Sequence, residues 1–283
     1  MRIGFVGVGN MGGAIVRGYA ASGVMKSAAA DELFIFDSDR EKAKALADAG
    51  LPVEAAESLE QLCGLCDVLM LCVKPNIMNE VLDSLAGVLE THAAGQGENL
   101  GKLIVSIAAG VTIGRIRAKL GASARVVRVM PNTPAMVGEG MSAMSASEGL
   151  LDEDIVVAEK LFNAVGAAVW IPEELMDIVT GISGSSPAYA YLYIEGLVRA
   201  GVEGGLSEEA ATILAAQSTL GAARMVLENL GKTEPRQLCI NVCSPGGATI
   251  EAVKVLEGAS FVETVEKAAQ ASAAKSKLMT GTP

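Results

Sequence analysis

Apolar residues in this chain fall into two kinds of run. Residues 3–6, 33–36, 67–73, 103–107, 125–129, 140–146 and 167–171 are short stretches of apolar or small residues, most of them stopped by Gly, Pro, Asp or Lys. These read as strands, and the unbroken run 67–73 has the pattern of a strand buried on both faces. Between them lie helical patterns. One follows Gly13, with Ala14, Ile15, Gly18 and Tyr19 on an inner face, and is stopped at Ser22-Gly23. Others cover 40–49, closed by Gly50, then about 76–89, 113–120 and 152–163. The polar stretch 92–101 reads as a loop. Strands alternating with helices predict an α/β fold, an N-terminal Rossmann-type doubly wound parallel sheet.

After Pro172 the strand pattern ends. Residues 173–180, 187–204, 207–230, 249–256 and 261–278 all read as helices, with Ser207-Glu208-Glu209 as a cap and acidic first turn. The boundary is expected at 165–175, giving a dinucleotide-binding domain 1–170 and a helical domain 171–283. The second part is dense in Ala, Gly, Leu and Ile on more than one helix face. So much apolar surface predicts a homo-oligomer.

The first strand runs into Gly7, and Gly9 and Gly12 complete G-x-G-x-x-G at the start of a helix. Gly7 permits the turn, Gly9 admits a pyrophosphate, and Gly12 lets helix and strand pack closely. Free N–H groups at the helix start then meet the phosphate charge. Ligands of such sheets sit off the carboxyl ends of the strands. Those ends are Gly7 to Met11, Asp37-Ser38, Val73-Lys74-Pro75, Ala108-Ala109-Gly110 and Met130-Pro131-Asn132-Thr133-Pro134, and they define one crevice.

Bulk properties exclude several classes. A net charge of −11 without a long basic run argues against nucleic acid and anionic membrane surfaces as partners. No 18-residue apolar run is free of glycine and charge, so no transmembrane helix is expected. Residue 3 already starts a strand, and no signal-peptide layout precedes it. Five cysteines, an odd number, fit reduced thiols and a cytoplasmic location. Cys63-x-x-Cys66 lacks a second ligand pair, and the one histidine, His92, is not near it; buried helical thiols are expected and no metal site.

Two segments of the helical part differ from their surroundings. One is Ser183-Gly184-Ser185-Ser186-Pro187-Ala188-Tyr189. The other is Asn241-Val242-Cys243-Ser244-Pro245-Gly246-Gly247-Ala248-Thr249-Ile250-Glu251, which ends one helix and starts another. Its Gly-Gly pair and hydroxyls form either a carboxylate-sized anion site without an arginine or a tight turn with Thr249 as a plain cap.

With these segments the chain resembles the pyrroline-5-carboxylate reductase family over essentially its whole length. Gly7-x-Gly9-Asn10-Met11-Gly12, Val73-Lys74-Pro75, Ser106-Ile107-Ala108-Ala109-Gly110-Val111-Thr112, Met130-Pro131-Asn132-Thr133-Pro134 and both segments above occur in the family's order; the last is its signature. The resemblance implies reduction of the cyclic imine 1-pyrroline-5-carboxylate to L-proline with NADPH or NADH. It also implies a helical domain that interlocks two subunits, in many members as part of a decamer. Carried over, Val6, Gly7, Val8, Gly9, Asn10, Met11, Ser38, Cys72, Val73, Lys74, Pro75, Ile107, Ala108 and Ala109 line the cofactor, and Asn241 also touches it. Asp37, Met130 and Asn132 join them as strand-end residues of the same crevice. Ser244, Gly247, Ala248 and Thr249 hold the substrate's carboxylate and ring nitrogen, beside Asn241, with Ser244 and Thr249 as the catalytic candidates. Glu173 matches a substrate-proximal position only loosely. Asp37 favours a ribose 2′-hydroxyl while Ser38 and Arg40 suit a 2′-phosphate, so cofactor preference stays open. A β-hydroxyacid dehydrogenase would carry a lysine on the helix after the Gly-rich segment, and residues 183–195 contain none. A dinucleotide sensor without catalysis would have no use for the anion turn.

Overall fold

The computed structural model describes residues 1–22, 31–96 and 101–280, with side chains of 90–96 left aside. The stop at Gly23, the His92 side chain and the loop residues 97–100 thus lie outside the described part. An eight-stranded sheet runs through the first unit in the order β3-β2-β1-β4-β5-β6-β7-β8. Its strands are β1 (Arg2–Val6), β2 (Glu32–Phe36), β3 (Val53–Ala55), β4 (Val68–Leu71), β5 (Leu103–Ser106), β6 (Arg125–Met130), β7 (Gly140–Ala146) and β8 (Gly166–Trp170). All neighbours pair in parallel except β6 with β7.

Alternation along the strands builds two apolar layers. Ile3, Phe5, Val68, Met70, Leu103, Val105, Val127 and Val129 face one side. There they meet α1 (Asn10–Ala21), α2 (Arg40–Ala47) and α6 (Asp152–Asn163) through Ile15, Tyr19, Leu46, Leu161 and Phe162. Val6, Phe34, Leu69, Leu71, Ile104 and Val126 face the other. They pack on α3 (Leu59–Leu65), α4 (Met78–Gln96) and α5 (Ile113–Leu120). Strands buried on both faces explain why their sequences are continuous apolar runs rather than alternating ones.

The structure corrects several expectations. β3 and α3 were not anticipated. β3 has three residues, too few for a periodic signal, and α3 is seven residues long, started by Ser58 Oγ accepting from Gln61 N at 3.1 Å. Helix α4 continues to Gln96 where the polar stretch from residue 92 reads as loop, because an established helix propagates readily through Ala93 and Ala94. Residues 173–184 are not one regular helix. They form a 3₁₀ turn Glu173–Leu175, a short α7 (Met176–Val179) and a π-helical turn Thr180–Gly184. Cys63 and Cys66 lie in the second apolar layer, where burial pushes the thiols up to about 11 and about 12.

The chain's contacts define one unit from Met1–Ser185 together with Ala271–Pro283, and a second from Ser186–Gln270. The second unit holds α8 (Ser186–Glu203), α9 (Glu208–Glu228), α10 (Pro235–Val242), α11 (Ala248–Gly258) and the first half of α12 (Phe261–Thr280). α8 and α9 approach closely; a Cβ on Gly201 would lie 2.9 Å from Ala211 Cβ. Ser207 caps α9 by accepting from Ala210 N. By length and composition alone, α9 reaches a mean hydropathy of 1.2 over 18 residues, a test that apolar helices of non-membrane proteins also pass.

Asp31 ties three elements of the first unit together. Its carboxylate accepts from buried Tyr19 Oη on α1, from Lys160 Nζ on α6 at 2.5 Å, and pairs with the Met1 ammonium at 3.1 Å. Burial raises its pKa, but the bonds from Lys160, Tyr19 and Met1 outweigh burial and hold it below the ordinary aspartate range. A depressed carboxylate stabilises the fold above its unfolded pKa and loses that contribution as pH falls through the folded one. Asp31→Asn is therefore expected to lower stability at neutral pH and to flatten its decline below about pH 4 in urea melts across pH.

Close packing yields a second expectation. A Cβ on Gly4 in β1 would lie 2.8 Å from Cys66 Sγ and 2.9 Å from Leu62 Cγ, whereas on Gly114 in α5 it meets only ordinary contacts. Gly4→Ala should destabilise by about 1–3 kcal/mol, and Gly114→Ala should stabilise by about 0.5–1 kcal/mol, in urea unfolding.

Candidate active site

The first unit's crevice is set by three glycines with different work. Gly7 turns the chain at φ +92°, and its N–H donates to Phe36 O at 2.7 Å. A Cβ there would lie 3.0 Å from Val73 Cγ1 and 3.1 Å from the Cys72 carbonyl. Gly12 sits in α1 where a Cβ would come within 2.4 Å of Gly7 O and 2.9 Å of Cys72 Cβ. Gly9, between them, is the N-cap of α1 with no side-chain capping bond, and a Cβ on it would meet nothing within 4 Å. The helix start is thus open and carries uncapped N–H groups, the arrangement that accepts a phosphate.

Two grooves continue from this point. One, of about 260 Å³, is lined by Val6, Gly7, Gly9, Phe36, Asp37, Ser38, Lys42, Cys72, Val73, Lys74, Ile77 and Val81. The other, of about 490 Å³, is lined by Gly9, Asn10, Met11, Lys42, Cys72, Val73, Lys74, Pro75, Ile107, Ala108, Ala109, Met130 and Pro131. Gly9, Lys42, Cys72, Val73 and Lys74 belong to both, so the grooves join across the sheet's carboxyl edge. Most strand-end residues named from the sequence lie on this path; Val8, Gly110, Asn132, Thr133 and Pro134 do not. Val8 is buried in the first apolar layer and offers only its N–H, which donates to Asp37 Oδ2 at 2.8 Å. Asn132 is buried; its Oδ1 accepts from Met141 N at 2.8 Å and its Nδ2 donates to Ser183 O at 3.0 Å. Both ends of that amide brace the loop after β6.

Lys42 was missed by sequence reasoning. It stands on α2, one turn past the strand end that drew attention to Asp37, and a basic residue there is the signal that could have found it. Cys72 lines both grooves, but burial pushes its thiol up, so it acts as packing and not as a thiolate. Glu173 serves a brace too. Its Oε1 accepts from Ile113 N at 2.8 Å and from Nη1 of buried Arg128 at 3.0 Å. The 183–189 segment starts on this unit: a Cβ on Gly184 would lie 2.6 Å from Cε of Met130, a groove residue.

In the second unit the turn after α10 has its own geometry. Gly246 is at φ +70°, Gly247 N donates to Ser244 O at 3.0 Å, and a Cβ on Gly247 would come within 2.4 Å of Ser244 Oγ. The N-cap of α11 is Gly247, with no side-chain cap. Thr249 is the second helical residue and exposed, so it is not the cap that the alternative reading required. Ser244 and Ala248 are exposed beside it. Asn241 Oδ1 accepts from Gln237 Nε2 at 2.8 Å, which leaves its amide N–H groups for another partner.

Comparison with known proteins bears on both units. Residues 173–279 match the family model described as pyrroline-5-carboxylate reductase dimerisation, and residues 2–110 match NADP oxidoreductase, coenzyme F420-dependent. The chain is 39% identical to pyrroline-5-carboxylate reductase of Escherichia coli K12, over 94% of each chain. The NADP-bound crystal structure of pyrroline carboxylate reductase from Plasmodium falciparum superposes with a TM-score of 0.83 at 34% identity, covering 99% of this chain and 98% of that one. The pyrroline-5-carboxylate reductase of Coxiella burnetii gives 0.87 at 33% identity with the same coverage.

Open space at Gly9 separates binding from folding. Gly9→Val should fold with an unchanged thermal midpoint yet lose dinucleotide affinity by about a hundredfold or more, because the side chain fills the pyrophosphate's approach. Gly12→Val should instead fail to fold normally. Circular dichroism melts and NADPH fluorescence titration read the two effects; unchanged affinity in Gly9→Val contradicts the assignment.

Proposed function

The chain belongs to the pyrroline-5-carboxylate reductase family, and from that membership we propose how its parts share the reaction. The protein is an oxidoreductase that uses NADPH or NADH to reduce 1-pyrroline-5-carboxylate to L-proline, the last step of proline biosynthesis. The observation that carries the reading is the open, uncapped glycine cradle at Gly9 in a chain alignable with these reductases along 94% of its length. The cradle fits a dinucleotide: Gly9 to Met11 and Val73 to Pro75 would hold its phosphates, and Ile107 to Ala109 with Met130 would flank the rest. Residues 1–170 form the cofactor domain on this proposal, and 171–283 the substrate and dimerisation domain. The dimerisation match beginning at 173 supports that division.

The bound reduced nicotinamide supplies a hydride for the C=N carbon. A cyclic imine that arrives protonated is already electrophilic, and hydride addition leaves a neutral ring amine with no further proton needed. The side chains therefore have to place the imine rather than drive proton transfer. Ser244 Oγ and the N–H groups at the start of α11 would hold the carboxylate, with Gly247 keeping the space clear. Thr249 Oγ1 would bond the ring nitrogen; a threonine hydroxyl is too weak an acid at neutral pH to serve as proton donor.

Assembly follows from the second unit's surface. Leu192, Ile213, Leu214, Leu227, Leu230 and Val255 are all exposed in the single chain. The match to the dimerisation region supports a homo-oligomer, and we assign these faces, α9's apolar length included, to a homodimer that could build into a decamer. Five free cysteines support a cytoplasmic location.

Three variants test the substrate turn. Ser244→Ala removes a charge-assisted bond and should raise the imine KM about tenfold to a hundredfold, the equivalent of about 1.5–3 kcal/mol, with cofactor affinity nearly constant. Thr249→Ala should lower kcat more than it raises KM. Gly247→Val should abolish turnover. Wild-type kcat/KM in both hydroxyl variants, with folding confirmed by circular dichroism, would move the substrate site elsewhere.

A further inference from the structure

The end of β2 is where a dinucleotide site tells a ribose 2′-hydroxyl from a 2′-phosphate, and an acid there ordinarily favours the hydroxyl. In this chain both oxygens of that acid are engaged by the protein's own backbone. Asp37 Oδ2 accepts from Val8 N at 2.8 Å and Oδ1 accepts from Asp39 N at 2.9 Å. Both bonds are charge-assisted, and together they fix the plane of the carboxylate. The first spans 29 positions, from the end of β2 to the middle of the glycine turn. Gly7 N to Phe36 O at 2.7 Å fixes the neighbouring peptide. Since α1 has no side-chain cap, Asp37 is the side chain that holds the turn.

The groove at this end is lined by Asp37, Ser38 and Lys42, while Asp39 and Arg40 are not among its lining residues. Among the described hydrogen bonds none uses the exposed Ser38 hydroxyl. Lys42 Nζ pairs with Asp39 Oδ2 at 3.1 Å, and the two side chains are 59% and 47% exposed. Such an ion pair contributes little, so the ammonium can turn to a stronger anion at small cost.

We infer that Asp37 is a positioning residue that shapes the glycine turn for either cofactor, and that Lys42, with Ser38 beside it, discriminates in favour of the 2′-phosphate. This rests on the cofactor reading above and adds the preference for NADPH. The acid at the strand end thus does not signal NADH in this chain.

Fluorescence titration with NADPH and with NADH, without imine, tests it on the full chain. Asp37→Ala should weaken both cofactors by a similar factor, about tenfold, and Asp37→Asn, which keeps one acceptor oxygen, should recover part of the loss. Their NADPH-to-NADH affinity ratio should stay within about twofold of wild type. Lys42→Ala should lower that ratio by about tenfold. The inference is overturned if either Asp37 variant moves the ratio tenfold in favour of NADPH, or if Lys42→Ala leaves it unchanged. Should Asp37→Ala not fold, Asp37→Asn carries the same comparison. Because no imine is present, a failure here is separate from a failure of the reductase assignment, which wild-type turnover with pyrroline-5-carboxylate decides.

Discussion

The whole arrangement depends on how closely α1 can approach the ends of β1 and β4. At Gly12 a single methyl group would sit 2.4 Å from Gly7 O and 2.9 Å from Cys72 Cβ. That approach lets the helix begin directly beneath the turn, and the helix start then faces the groove with unbonded N–H groups. Moving α1 outward by one methyl would separate the dipole from the place where a phosphate arrives. The same closeness forces Gly7 into its positive φ and makes Cys72, a small side chain, the floor of both grooves.

Around this point the protein uses polar braces where regular structure runs out. Residues 173–184 pass through 3₁₀, α and π turns in succession, and such backbone needs side chains to fix it. Glu173 bonds Arg128 and the start of α5, and Asn132 bonds Ser183 and Met141. Arg128 and Asn132 are buried and Glu173 is half-buried, and each has a partner. They orient the loop after β6 and so the Met130 wall of the groove.

Most of the fold was legible because its signals are local. Strands buried on both faces give unbroken apolar runs, and α5, α6 and β7 appear with the bounds that their flanking residues suggested. The glycine motif was legible because each glycine answers a separate steric demand. What escaped had no local period or involved distant partners. β3 is too short to show alternation. Asn132 lies at an expected strand end, but its bonds to Met141 and Ser183 are ones that no spacing reveals. Asp37 lies at the expected strand end, but its commitment to Val8 across 29 positions is a tertiary fact. Lys42 was overlooked because a surface lysine on an exposed helix carries no pattern of its own.

The last turns of α12 carry a consequence for how the protein is made. Residues 271–280 belong to the first unit: Ser276 Oγ donates to Asp177 Oδ1 at 2.7 Å, Thr280 Oγ1 donates to the same oxygen at 3.1 Å, and Ser185 and Ser272 hydroxyls bond at 2.8 Å. Met279 packs on Gly110, at the end of the segment that follows β5. At a synthesis rate of about 5–20 residues per second, these partners emerge from the ribosome many seconds after the sheet that awaits them. The sheet's own residues are all translated by Trp170, yet that unit closes only when the final helix returns to it. Nascent chains therefore spend that interval with the 173–185 region uncovered, the period in which a chaperone would have most to hold.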